Sequence, residues 1–433
     1  MIDSTISPCD SKIRTSAWDN SSRVTIWLAL LVGIALSPLA DFMSVYALKG
    51  QVGGDIGARY SLFVRGGLVV ALIVAMLFSG RVRLSNWRVF LLALFVVITS
   101  CSAFAFDEMS SREFVEEVIV IAKVFSLFVY VAALSQLNDA QLEKVEALLR
   151  LTLFVYALAI VAGAVFSIDI FRSYRGETQI RAGYKGIIYA QNEASALVLA
   201  GLGLAYLHIV QHGWSARRIG LAAIFFVAAF LLGTKGALVS GFGVVAAYSF
   251  ARYGALKAAV RLAVVVALMV VVAIAVYFLM PSVRVAVDLS IQYFSYQSDH
   301  AGGDKIVTVL LSGRNLKFSN VWEDLSNRGF LPLLIGGYPT VRYPIEMDGP
   351  DFMLIMGIPI FCLYMRDLVR LYVRSGKDHV TSYGKYFFIL LLLVSCSAGH
   401  VLTSAIVAPY LAMIADIVRR RSAGKPGADT AQP

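Results

Sequence analysis

Residues 312–357 read SGRNLKFSNVWEDLSNRGFLPLLIGGYPTVRYPIEMDGPDFMLIMG. This stretch decides the fold because it interrupts a chain that otherwise reads as lipid-spanning. It carries arginines, carboxylates, a tryptophan and turn residues where its surroundings carry little but apolar side chains. Ser312 is placed to N-cap a helix that runs to about Asn327, before Gly329 stops it. Within that helix Phe318, Val321, Trp322 and Leu325 fall at i, i+3, i+4 and i+7, which predicts one apolar stripe. Arg314 sits four residues before Phe318 and Arg328 three after Leu325, so both arginines extend the stripe. On a helix lying over a bundle, either arginine could clamp phosphate oxygens. The same pattern also suits an interfacial helix whose arginines touch lipid headgroups.

The segments around this stretch give the fold class. The chain has 433 residues, 58% of them hydrophobic and 15% charged, with mean hydropathy +0.74. Soluble domains carry about 25% charged residues, so this composition excludes one. Apolar segments fall at 24–45, 61–80, 89–106, 115–135, 148–166, 187–210, 219–232, 236–250, 262–280, 351–371, 384–398 and 401–418. The expectation is an all-α polytopic membrane protein with about twelve transmembrane helices and a large outward loop containing an amphipathic helix. Residues 1–23 are a polar tail with no apolar core of a cleavable signal, 24–418 one transmembrane domain, and 419–433 a second tail.

Charge sets the sidedness. Arg81, Arg83 and Arg88, then Arg217 and Arg218, then Arg252, Lys257 and Arg261, occupy alternate loops. Arg366 to Lys377 and Arg419 to Arg421 continue the alternation. Those loops and both termini are expected in the cytoplasm. The net charge of +10 is accounted for by them, and no nucleic-acid partner is expected. Cys9, Cys101, Cys362 and Cys396 show no ligand spacing, so neither a disulfide framework nor a metal site is indicated.

Two outward loops break the charge rule. The loop 167–186 holds Arg172, Arg175, Arg181 and Lys185 against Asp169 and Glu177, a balance suited to an anionic ligand. Asn192 follows at the start of the next helix, where polar groups face the bundle interior or a wet cavity. In the turn Leu232-Gly233-Thr234-Lys235-Gly236, Thr234 is placed to N-cap the following helix and Lys235 adds a charge at its outward end. A snorkelling lysine in a tight turn is the plainer account of the same residues. The long loop 281–350 carries Tyr293, Phe294 and Tyr296, which suit a sugar platform or an interfacial belt. It also carries Arg342, and it ends in Glu346-Met347-Asp348. A carboxylate there could act as general base towards a hydroxyl.

Several of these segments together resemble the O-antigen ligase and polymerase superfamily. RAGYKGIIYAQNEAS is similar to its R–G–N segment, and Thr234-Lys235-Gly236 to its small-basic-glycine turn. Gly313, Arg314, Trp322, Pro332, Leu333, Gly336 and Gly337 match its GR…W…PL.G.G loop. Arg175 to Gly186, and Arg172 to Gly183, repeat an R-x(10)-G spacing found in the polymerases' outward loops. Where the ligases place a His-Asn pair, this chain has Glu346 and Asp348, which points to the polymerase branch, the Wzy type.

The resemblance implies a GT-C-like glycosyltransferase at the periplasmic face of the bacterial inner membrane. It would join oligosaccharide repeat units carried on undecaprenyl diphosphate, with membrane lipid around it and a chain-length regulator as a further partner. Arg314 would be catalytic with Glu346 or Asp348 as base. Arg172, Arg175, Arg181, Lys235, Arg328 and Arg342 would bind the diphosphates, and Asn192 and Trp322 would position substrate. No cofactor and no metal ion enter this scheme, since the arginines supply the charge. Two other readings stand beside it. One is a ligase joining finished glycan to lipid A–core. The other is a lipid-linked oligosaccharide flippase or transporter, with Asp41, Arg65 and Lys123 along a path, although the halves show no internal repeat.

Overall fold

The computed structural model describes residues 8–49, 59–79, 84–106, 109–173, 183–279 and 304–423, with scattered positions between 284 and 299. Arg175, Arg181, Tyr293 and Phe294 lie outside the described residues. The described chain is helical, and its one β-type contact is the isolated pairing of Arg172 with Tyr184.

Nine long helices come first: α1 (Pro8–Lys49), α2 (Tyr60–Phe78), α3 (Leu84–Ala105), α4 (Ser111–Leu134), α5 (Asp139–Val165), α6 (Gln191–His212), α7 (Ala216–Leu232), α8 (Lys235–Tyr253) and α9 (Ala255–Leu279). Four short ones follow: α10 (Lys305–Leu311), α11 (Arg314–Asn327), α12 (Leu331–Ile335) and α13 (Asp348–Met356). The last are α14 (Ile358–Tyr372), α15 (His379–Ala398) and α16 (Ala408–Ala423). Among the described residues, seven helices are long and apolar enough to cross a membrane: α1 to α6 and α15. The protein is a polytopic helical membrane protein.

Of the remaining apolar segments, α8 and α9 have 19 and 25 residues, and the others are shorter or broken. Helix α7 has 17 residues, at the lower limit for a span, and α14 and α16 have 15 and 16, below the roughly 17 that a span needs. The segment expected at 351–371 is broken into α13 and α14 at Gly357, whose φ of 73° no helix accommodates. The segment expected at 401–418 is helical only from Ala408.

Helix α6 is the hub, the most buried of the candidate spans, packed against α7, α8, α15 and α16. Its glycines explain the closeness. A Cβ on Gly201 would sit 2.4 Å from the Phe225 ring, and one on Gly203 2.4 Å from the Phe387 ring. Small residues admit neighbouring helices in just this way where lipid gives no hydrophobic drive. Tyr383 on α15 also donates its hydroxyl to the Gly203 carbonyl at 2.9 Å.

Polar pins fix the outer helices. Arg65 on α2 pairs with Asp41 on α1, and Tyr156 on α5 donates to the same carboxylate. All three side chains are buried, so the charges compensate each other rather than face lipid. Ser110 with Glu113, and Asn138 with Gln141, form capping boxes that start α4 and α5.

The helix ends sort into two groups. At one end Arg420 of α16 reaches Asp139 (2.8 Å) and the Leu137 carbonyl (3.1 Å) between α4 and α5. At the same end Arg88 of α3 reaches Asp367 of α14 at 3.1 Å, and His379 of α15 lies 2.8 Å from the Ala251 carbonyl of α8. The basic loops therefore gather at one end, as their alternation along the sequence predicts. The loop elements α10 to α13 gather at the other.

Candidate functional site

The site is built on the α13–α14 break. Gly337 and Tyr338 fold against it: Gly337 N donates to the Ile355 carbonyl (2.9 Å) and Tyr338 N to the Leu354 carbonyl (3.2 Å). The fit needs glycine, since a Cβ on Gly357 would sit 2.7 Å from Gly336 N and one on Gly337 2.5 Å from the Thr99 carbonyl. Glu117, buried on α4, fastens the next turn by accepting from Thr340 Oγ1 (3.0 Å) and Val341 N (3.1 Å). Glu113, one turn earlier on α4, takes Arg342 in a two-bond fork at 2.9 and 2.8 Å.

Glu346 emerges from this scaffold in a strained pose. Its φ is +67°, a left-handed conformation that costs a non-glycine residue on the order of 1 kcal/mol. The pose is held from both sides. Ile345 N and Met347 N donate to the Asp351 carboxylate at 3.0 and 3.2 Å, bracketing Glu346. Gly399, between α15 and α16, packs on its carbonyl so closely that a Cβ there would lie 2.0 Å from the oxygen. The side chain, about a third exposed, accepts from Lys317 Nζ and lies 3.9 Å from Arg314 Nη2. Such strain persists where surrounding structure over-determines it, and it marks functional segments.

Arg314 is the better buried partner, its side chain 11% exposed. It donates to the Leu311 carbonyl at 3.4 Å and to the Ser397 carbonyl at the end of α15 at 3.3 Å. Ser312 does not N-cap α11. It takes a left-handed conformation that ends α10, and Gly313 stands at the cap with no side-chain bond. The link is a tight α10–α11 turn, which swings Arg314 towards α15.

The predicted stripe on α11 is split. Val321 and Leu325 are buried with Tyr338, Ile345, Met347 and Leu354 in a small core under the loop. Phe318 and Trp322 stay exposed and stack at 5.9 Å, with Phe330 5.2 Å from Trp322. Half of the apolar stripe is thus left outward. Arg328 is turned to Asp324 (2.9 Å) and to the Tyr338 ring (5.5 Å). Burial, and then the Asp324 carboxylate that accepts the Tyr338 hydroxyl at 2.9 Å, push that phenol above its ordinary range.

Asp348 and Glu346 have different environments. Asp348 is buried, and accepts from His400 N, Val401 N and Leu402 N at 2.8 Å each and from Thr403 Oγ1 at 3.2 Å. Its oxygens are occupied in holding the 400–403 loop. Glu346 is the more accessible of the two carboxylates.

The other basic segments approach the same end. Thr234 N-caps α8, accepting from Ala237 N at 3.2 Å, and its hydroxyl meets Ser195 of α6 at 2.7 Å. Lys235 donates to the Val309 carbonyl and lies 3.4 Å from Ser312 Oγ, which brings it within two residues of Arg314. The described ends of loop 167–186 meet each other and the same turn. Ser173 N donates to the Gly183 carbonyl (2.9 Å), Tyr184 N to the Leu231 carbonyl (2.9 Å) and the Gln191 amide to the Leu232 carbonyl (3.1 Å). Arg172 lies at the root of that loop, 3.3 Å from Asp169, and Asn192 is half-buried in the first turn of α6.

The structure thus joins Arg314, Glu346, Lys235 and the Asp348 clamp in one region, while Arg328 and Arg342 are engaged by carboxylates of their own. Lys317, Gly399 and His400 belong to the region as well. Lys317 stands three residues after Arg314 on a helix, a readable signal. His400 is 52 residues from Asp348, and no local pattern announces that contact. Among the described residues no group of three His, Cys, Asp or Glu could hold a metal ion.

No known protein family, curated protein or solved structure matches this chain.

Proposed function

We propose that this protein is a membrane glycosyltransferase that polymerises oligosaccharide repeat units carried on undecaprenyl diphosphate, acting at the outward face of the bacterial inner membrane. The observation that carries the reading is Glu346, a strained and accessible carboxylate held between Arg314 and Lys317. In the free protein the carboxylate offsets only one of the two positive charges, chiefly that of Lys317, and a positive charge is left in excess. A diphosphate docking on the cations releases the carboxylate for the acceptor.

The step then balances without a further reactant. The acceptor hydroxyl attacks the donor anomeric carbon, and the bond from that carbon to the diphosphate oxygen breaks. The electron pair leaves on the diphosphate, where Arg314, Lys317 and Lys235 meet the growing charge, and the hydroxyl proton passes to Glu346. In-line attack inverts the anomeric centre. The seven candidate spans, with the shorter apolar helices beside them, support a multi-pass GT-C-like frame. The basic loops at the opposite end support cytoplasmic termini. The exposed Phe318–Trp322–Phe330 surface suits a sugar ring beside the donor.

His400 favours a second reading. It follows Gly399, which packs on the Glu346 carbonyl, so a histidine does stand beside the position where ligases carry one. A ligase would use it as base and transfer finished glycan to lipid A–core. Cells lacking the protein separate the two: single repeat units on core support the polymerase, and bare core supports the ligase.

A further inference from the structure

The opposite end of the bundle holds a cavity unconnected with the Glu346 region. It is about 660 Å³ in volume, within the range of small-molecule sites, and is lined by His212, Gly213, Trp214, Arg218, Tyr248, Arg252 and Tyr253 among others. Helix α6 separates it from the Gln191–Leu232 contact by its own length, roughly 30 Å for a 22-residue helix.

The lining is cationic and aromatic, and no aspartate or glutamate contributes to it. Arg218 is fixed in place, donating to the His212 and Gly213 carbonyls at 2.8 Å each. Trp214 is oriented by its indole N–H, which donates to the Tyr248 hydroxyl at 3.1 Å, and by edge contacts with Tyr206 and Tyr248. Arg261 lies 3.6 Å over the Tyr253 ring and adds charge beside the cavity. The Glu146 carboxylate, close enough to act on His212 electrostatically, is bound to His208, one turn before His212. Two guanidinium groups with no carboxylate between them, above a rigid aromatic floor, form a receptor for a phosphate-bearing ligand.

We propose that this cavity binds a phosphate ester, with Arg218 and Arg252 on the phosphate and Trp214, Tyr248 and Tyr253 against the attached group. The ester can come from an anionic lipid headgroup or from a soluble phosphorylated compound. Full-length protein in neutral detergent is titrated with dihexanoylphosphatidylglycerol and, separately, with inorganic phosphate, and the thermal midpoint is followed by intrinsic fluorescence. A saturable rise is expected. Arg252→Gln should weaken apparent affinity about tenfold, one charge-assisted contact. Arg217→Gln removes the same charge from an exposed neighbour outside the lining and should stay within about twofold of wild type. Arg252→Lys, which retains charge and fold, should fall between them. Saturation with phosphatidylglycerol alone assigns a lipid headgroup, and saturation with phosphate assigns a soluble ester. No saturation with either, or equal losses in Arg217→Gln and Arg252→Gln, overturns the proposal.

Discussion

Arg314 Nη2 lies 3.9 Å from Glu346 Oε2, joining the first turn of α11 to a backbone position bent into the left-handed region. The contact is too long to be a strong ion pair. Under the proposed function both groups would meet one diphosphate-bearing ligand. Arg314→Ala should therefore remove long-chain surface glycan while leaving membrane abundance of the protein unchanged. Immunoblotting of membranes beside glycan electrophoresis checks this, and normal chain length would remove Arg314 from the site.

The two carboxylates predict separable failures. Glu346→Gln should lower turnover by about 10²- to 10⁴-fold, the usual contribution of a general base, with an unaltered melting temperature. Asp348→Asn should instead cost about 2–4 kcal/mol of stability, because it weakens several buried bonds to the 400–403 loop. Full activity in the first variant, or an unchanged melt in the second, would reverse the assignment.

Gly399→Ala tests the strain directly. The added Cβ must displace the Glu346 carbonyl, from which it would otherwise lie 2.0 Å. Turnover should fall by about tenfold or more through misplacement of the carboxylate, with donor affinity nearly retained. A rise in KM with kcat intact would show that Gly399 serves binding.

At the helix break, Gly357→Ala should lower the thermal midpoint in detergent, at a cost of about 1–3 kcal/mol. Alanine is strained at φ 73° and its Cβ meets the Gly336 backbone. An unchanged midpoint would mean that the break is not fixed by this packing.

Much of this was readable in the residues. Apolar runs located α1 to α6 and α15, because a span's composition needs no partner to be recognised. Thr234 capped its helix as its residue type implies, and the basic loops lay at one end. The break at Gly357 was read through, although Gly357 and Pro359 stand where one helix stops and the next begins. Apolar content alone joined the two halves, and the fold-back of Gly336 and Gly337 onto the break lies across the chain. Ser312 misled because a serine before a helical pattern suits either a cap or a left-handed link, and the Lys235 contact lies across the fold. Arg342 and Arg328 stood out as basic residues on an outward loop. Their partners Glu113 and Asp324 show their charge in use within the protein. Residue type cannot tell a cation held for a ligand from one already matched.

If the Arg314–Glu346 region transfers glycan off a lipid diphosphate, the products must appear in fixed stoichiometry. Purified protein in lipid nanodiscs, given a defined undecaprenyl-diphosphate-linked repeat unit, should release one undecaprenyl diphosphate for each glycosidic bond formed and yield a ladder of lengthening glycan. Intact lipid-linked substrate after incubation with folded protein would contradict the account.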